Sequence, residues 1–146
     1  MKITQATINN LEQLTPLFDG YRIFYKQASD LKASEAFLSK RFLQSDSIIF
    51  MAFDDQQQAL GFTQLYPTFS SVSMKRTYIL NDLYVIPRMR ANGIGEALMN
   101  HSKQFVIQNN CKGLTLETAV DNPAQKLYER LGWKKDIDVF HYTWEV

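Results

Sequence analysis

The chain has 146 residues, 45% of them hydrophobic, which is enough for one domain, residues 1–146, with a proper core. Lys and Arg total 16 against 15 for Asp and Glu, a formal net charge of +1, so nothing in the balance argues for nucleic acid. No apolar run is long enough to span a membrane, Met1 to Asn10 is too polar for a signal peptide, and the single cysteine cannot close an internal disulfide, so the expected location is a reducing cytoplasm.

Ile3 to Ile8 alternates weakly and reads as a first strand. Asn9 or Asn10 can cap a helix whose apolar stripe is Leu11, Leu14, Leu17, Phe18 and Tyr21, with Pro16 kinking it or marking a late start. Ala28-Ser29-Asp30 breaks that helix, and a second follows with Ala36, Phe37, Phe42 and Leu43 apolar. Ser47 to Phe53 is a strand. Asp54 to Gln58 turns the chain into another strand from about Leu60 to Phe69, and Ser70-Ser71 turns it again. Met74 to Ile86 is a long strand that Pro87 ends, because proline cannot donate to a ladder. A helix near Gly93 to Gln108, a strand from Gly113 to Val120 and a short helix opened by Asn122-Pro123 and stopped by Gly132 come next. Trp133 and Val139 to Val146 are expected to supply closing strands. The order is βααβββαβαββ, an α/β or α+β chain with a mixed sheet.

The most informative stretch runs from Asn81 to Gly95. The apolar strand Asn81-Asp82-Leu83-Tyr84-Val85-Ile86-Pro87 leads into Arg90-Ala91-Asn92-Gly93-Ile94-Gly95 and then into a helical pattern of Ile94, Ala97, Leu98 and Phe105. First-turn amides lack internal partners, and the helix dipole favours an anion there, so the spot suits a pyrophosphate. Gly93 and Gly95 carry no Cβ, which lets an anionic ligand approach the main chain, and Arg90 adds charge. An ordinary strand–turn–helix with glycines for tightness is the alternative. Two other phosphate motifs are excluded: Leu98 stands where a third glycine of Gly-x-Gly-x-x-Gly belongs, and no Gly-Lys-Ser/Thr run occurs.

Arg90-Ala91-Asn92-Gly93-Ile94-Gly95 resembles the Arg/Gln-x-x-Gly-x-Gly/Ala signature of the GNAT superfamily of acyl-coenzyme A-dependent N-acetyltransferases, and Leu83-Tyr84-Val85 resembles the strand in front of it. Downstream, Asn122, Ala124, Leu127, Tyr128, Leu131, Gly132 and Trp133 are similar to that family's second block, with Trp in place of Phe. The resemblance runs from about Met74 to Lys135, and the N-terminal third agrees only in pattern.

The resemblance implies a splayed sheet, flanked by helices, whose fourth and fifth strands part at one end. Acetyl-CoA would be the co-substrate, with no metal. Its pantetheine arm would pair with the main chain at Leu83, Tyr84 and Val85, and its pyrophosphate would meet Arg90, Ala91, Asn92, Gly93, Ile94, Gly95 and Glu96. Asn122 would hold the arm, and Lys126 is a further candidate for a phosphate. Tyr128 would act as general acid on the leaving sulfur; read from spacing alone, it belongs to a packed stripe with Ala124, Leu127 and Leu131. Asp82 is the leading base and Glu117 a weaker one. Asn81 departs from related polyamine acetyltransferases, which carry Glu there, and Asn cannot act as a base. Tyr21, Phe24, Tyr25, Tyr66 and Phe69 are expected to border the acceptor groove, where aromatic faces suit a cation, and Phe140, Tyr142 and Trp144 lie near the C-terminus. The expected acceptor is a polyamine-like small amine or a lysine side chain of a protein or peptide, and a homodimer is expected through the aromatic C-terminal strand. Cys111 reads as a small buried residue rather than an acetyl carrier, and His101 and His141 show no metal-ligand spacing. A non-catalytic acyl-CoA sensor and a nucleotide-binding domain are the competing readings.

Overall fold

The computed structural model describes residues 1–146. A five-stranded mixed sheet runs in the order β1 (Lys2–Gln5), β2 (Ile48–Phe53), β3 (Ala59–Ser70), β4 (Lys75–Val85), β5 (Leu114–Thr115). The first four strands pair antiparallel, and β5 lies parallel to β4. Helices α1 (Leu11–Phe24) and α2 (Leu31–Gln44) cover one face; α3 (Ile94–Gln108) and the short α4 (Gln125–Arg130) cover the other. None of them is long and apolar enough to cross a membrane.

The unbroken apolar run Ile48–Phe53 makes sense in the middle of these layers, because both faces of β2 are covered. Ile49, Met51 and Phe53 join Leu14, Leu17, Phe18 and Leu38 under α1 and α2, while Phe50 and Ala52 join Leu98, Met99 and Val106 under α3. Asp54 makes the turn to β3: its Oδ1 accepts from the N–H of Gln56 and of Gln58, each at 2.9 Å. Gly20, in the middle of α1, leaves room for Tyr84, whose hydroxyl would stand 2.6 Å from a Cβ there.

Asp19 fastens the α1–α2 junction. Its carboxylate accepts from Ser29 Oγ at 2.7 Å, Asp30 N–H at 2.8 Å and Ser34 Oγ at 3.2 Å, and Arg22 lies at 3.7 Å. Burial pushes its pKa up, but these hydrogen bonds and the arginine outweigh it, so the group sits below its ordinary 3.8. A depressed folded pKa stabilises the protein fully above that ordinary value, and the contribution fades as pH falls below 3.8 through the folded value. Asp19→Ala should therefore cost about 2 kcal/mol in urea unfolding near neutral pH, since buried hydroxyl and amide donors lose their acceptor. The gap between variant and wild type should narrow in strong acid; a constant gap would mean that the carboxylate charge plays no part.

The order observed is βααβββαβα, so two expected strands are missing. Residues from Trp133 onward form no strand, and Phe140, Tyr142 and Trp144 are exposed. Alternation marks a segment that fits a sheet face, but it says nothing about an edge to pair with, and β5 is cut to two residues, Leu114 and Thr115, rather than Gly113 to Val120. The first strand ends at Gln5, and Ile8–Asn10 is a 3-10 turn in which Asn10 Oδ1 accepts from Thr7 N–H at 2.9 Å instead of capping α1. Helix α1 passes through Pro16. In α2 the inward residues are Ser34 and Leu38, whereas Leu43 is 82% exposed.

Candidate active site

The site begins with a bulge in β4. Leu80 pairs with Leu65 and Asp82 with Gln64, so Asn81 faces no partner. The extra residue resets the alternation. Leu80, Leu83 and Val85 pack on the α3 side, while Tyr84 turns toward α1.

Past the bulge, the other edge of β4 is open, because β5 pairs only with Tyr78 and Ile79. Ile86 N–H donates to Leu60 O at 3.0 Å and Thr63 Oγ1 to Asp82 O at 2.8 Å, so both of these peptide groups face β3. The C=O and N–H of a trans peptide point opposite ways. Val85 C=O and Leu83 N–H therefore point into the gap, and strand geometry turns Val85 N–H and Leu83 C=O the same way. These are groups that require a hydrogen-bond partner, and Val85 O takes one from Arg90 Nε at 3.1 Å.

At the end of β4, a 3-10 turn (Pro87–Met89) feeds the loop before α3. Gly93 has φ 77° and Ala91 has φ 60°, a sparsely populated conformation for a residue with a Cβ. No main-chain N–H from Ala91 to Glu96 finds a partner within the chain; the first α3 bond is Ala97 N–H to Gly93 O at 2.9 Å, and Gly93 provides no side-chain cap. A run of free N–H groups at the positive end of a helix attracts an anion. The Glu96 carboxylate is turned away and pairs with Arg130 at 2.8 Å.

Between β4 and the α4 segment lies a cleft of about 230 Å³. Leu83, Tyr84 and Val85 line it from β4, Arg90 from the loop, Asn122 and Tyr128 from the α4 segment, and Phe24 and Tyr25 from the end of α1. Residues as far apart in sequence as Phe24 and Tyr128 thus line one cleft. Asn122 Oδ1 accepts from Ala124 N–H at 2.9 Å and so organises the entry to α4. The Tyr128 ring leans on Trp133, 6.4 Å between centroids. Burial first, and the neighbouring Tyr25 second, push its phenol pKa above the ordinary 10.0, so the hydroxyl stays protonated throughout the neutral range.

Asp82 is only 2% exposed and lies outside the cleft lining. Gln64 Nε2 donates to it at 2.5 Å and Asn81 Nδ2 at 2.8 Å. Burial raises its pKa against the pull of hydrogen bonds from Gln64, Asn81 and Tyr21. Tyr21 Oη also reaches Asn81 O at 3.2 Å. Burial, and then the Asp82 charge, raise the pKa of Tyr21 and push that of Tyr66 up to about 12. Asn81 lines the cleft, so the enclosed carboxylate meets it through a neighbour's amide. Glu117 also lines the cleft and pairs with His141 at 3.1 Å.

Several expected residues fall elsewhere. Phe69 is 68% exposed under Arg76, Lys126 is exposed, and neither they nor Tyr66 line the cleft. Phe140, Tyr142 and Trp144 point to solvent rather than to an acceptor groove. Cys111 packs against the α3-side core, and the His101 ring rests 4.6 Å from that of Phe50.

The sequence profile of the Acetyltransferase (GNAT) family matches residues 11–133. The chain belongs to the GNAT family. It is an acetyltransferase. It is 48% identical to the uncharacterised N-acetyltransferase YhfO of Bacillus subtilis (strain 168), over 100% of this chain and 98% of that protein. A probable acetyltransferase of Haemophilus influenzae is 33% identical, covering 88% of this chain and 97% of its own length. The crystal structure of a probable acetyltransferase superposes with a TM-score of 0.95 at 41% identity, covering 100% of this chain and 98% of that one. GNAT acetyltransferases use acetyl-CoA as co-substrate, and the open edge of β4 and the free loop amides are the features of this chain that bear on that.

What sequence reasoning missed at this GNAT site is the polar set behind the strand: Gln64, the bulge at Asn81, and the hydrogen bond of Tyr21, which was expected only as an aromatic face at the acceptor groove. One signal was present. Asn81-Asp82 puts two polar residues side by side in an apolar strand, where strict alternation would expose one and bury the other.

Proposed function

We propose that this acetyltransferase moves the acetyl group of acetyl-CoA to a primary amine, by direct attack in a ternary complex. The observation that carries the reading is a run of three features: the unpartnered N–H groups of Ala91 to Glu96, then the edge of β4 at Val85 and Leu83 that no strand pairs with, then the Tyr128 hydroxyl. The diphosphate takes the loop amides, with Arg90 as a counter-charge. The pantetheine amides pair along Val85 and Leu83 as an added strand, with Tyr84 beneath and Asn122 opposite. The thioester then lies near Leu83, whose N–H donates to the tetrahedral oxyanion.

The amine arrives as an alkylammonium of pKa roughly 10 and must lose a proton before it attacks. Asp82 is the base in this reading and takes that proton through an intervening water, since its carboxylate is enclosed and its raised pKa favours proton uptake. As the tetrahedral species collapses, the C–S bond breaks, Tyr128 gives its proton to the departing sulfur, and the phenolate regains one from the nitrogen that becomes the neutral amide. Tyr21, Phe24 and Tyr25 border the acceptor side, and their ring faces suit a cationic polyamine-like amine or a lysine side chain. The names of YhfO and its kind, N-acetyltransferase, support a nitrogen acceptor.

The reading extends to a single catalytic domain in a reducing cytosol, in keeping with the one free cysteine. It also extends to a homodimer in which the exposed, alternating Phe140, Tyr142 and Trp144 lie against a second copy; a monomeric mass by light scattering overturns that part. The main test is coenzyme A release from acetyl-CoA with a panel of diamines, polyamines and lysine peptides, with products identified by mass. Release with an acetylated amine is the expected result. Binding of acetyl-CoA without turnover on any amine points instead to a sensor.

A further inference from the structure

Arg90 follows the strand that faces the cleft, and its side chain is folded back over that strand. Its Nε donates to Val85 O at 3.1 Å. Its Cζ lies 5.4 Å from the centroid of the Phe24 ring and 5.6 Å from that of Tyr84. Val85 O is one of the main-chain acceptors on the open edge of β4, so the guanidinium occupies the path of any amide-bearing arm that pairs there. No carboxylate pairs with Arg90; two ring faces and a neutral carbonyl hold its charge. Such contacts at an exposed position are weak next to the charge-assisted, bidentate bonds a guanidinium makes to a phosphate.

We propose that Arg90 is a phosphate-released plug that selects the acyl donor. In the free protein it lies over Val85 between Phe24 and Tyr84. A diphosphate arriving at the neighbouring amides of Ala91 to Glu96 draws the guanidinium out and uncovers the trough. A donor with the diphosphate gains from Arg90; a donor that is only a thioester arm must displace the plug with nothing to hold it elsewhere. Arg90 thus turns a shared binding element, the arm, into one that is accessible only to carriers bearing phosphate. The inference rests on the reading above that an acyl-CoA is the donor.

The test is calorimetric binding of coenzyme A and of pantetheine, and it needs no acceptor amine. Arg90→Gln should weaken coenzyme A binding and tighten pantetheine binding, each by about tenfold, the size expected for two cation–ring contacts and one charged hydrogen bond. Phe24→Leu removes one ring face and leaves the arginine, so it should tighten both ligands by about threefold. Pantetheine binding no tighter in Arg90→Gln than in wild type, including no binding to either, overturns the plug even if coenzyme A binds well. Absence of coenzyme A binding to wild type overturns the donor reading itself, and the plug with it.

Discussion

Tyr128→Phe is expected to lower kcat by about a hundredfold while the Kd for acetyl-CoA moves by less than about threefold. The substitution removes one oxygen and keeps the ring, so the contact with Trp133 and the wall of the cleft survive. What goes is the proposed proton donor. An alkyl thiolate is a poor leaving group while carbon and sulfur still share the charge, and an acid at the sulfur lowers that barrier only in the transition state. Loss of an interaction made only there appears in kcat and not in binding. The raised pKa of the phenol sets the pH dependence. A general acid must hold its proton, and burial keeps Tyr128 protonated beyond its ordinary 10.0, so no alkaline loss of wild-type activity below that value arises from this group. Steady-state kinetics with acetyl-CoA and a working amine, alongside direct binding of the cofactor, separate the two roles. A variant that loses affinity and turnover together, or neither, would show that Tyr128 packs without donating.

How much of this was legible beforehand differs from element to element. Helix α3 and its loop were, because Gly93 and the stripe of Ile94 and Leu98 report local geometry that a short stretch determines alone. The open edge beside Leu83 and Val85 was not derivable from those residues; it depends on β5 ending at Thr115, which only the resemblance anticipated. The closing strands failed for a related reason. Phe140, Tyr142 and Trp144 alternate as a strand should, yet pairing is a property of two segments, and the second is missing. Asp82 was found by its neighbours in sequence, but its enclosure by Gln64, Asn81 and Tyr21 follows from a bulge and from a helix sixty residues away. Single-residue polarity cannot report that a carboxylate is buried.

Arg90 makes the same point from the opposite side. Sequence placed its charge beside the loop amides, and the fold does hold it at that end of the cleft. Its rotamer is decided by Phe24, at the end of α1, and by Tyr84, which Gly20 admits under that helix. A glycine in the first helix therefore bears on where an arginine in the fourth strand's loop can rest.

Gly95→Val should fold normally and bind coenzyme A at least about a hundredfold more weakly, the loss of roughly two charge-assisted hydrogen bonds. The two loop glycines are not equivalent tests. Gly93 has φ 77° and a Cβ there would meet nothing within 4 Å, so valine at this position strains the backbone without filling space, and weakened binding would have two causes. Gly95 lies in the first turn of α3, outside the left-handed region, where an L side chain is at home. Its Cβ would stand 3.8 Å from Leu127 Cδ2 and 4.0 Å from Val85 Cγ2, ordinary contact distances that ask no neighbour to move. Valine is no poorer a helix former than the glycine it replaces, so Tm should hold nearly steady. Its methyls reach beyond that Cβ, beside the turn where the proposed donor would cross from the loop amides to the strand. Thermal unfolding and calorimetry on the one variant decide the matter. A stable Gly95→Val protein with wild-type affinity would mean that the carrier does not run close to this turn, and the amides of Ala91 to Glu96 would then need another ligand.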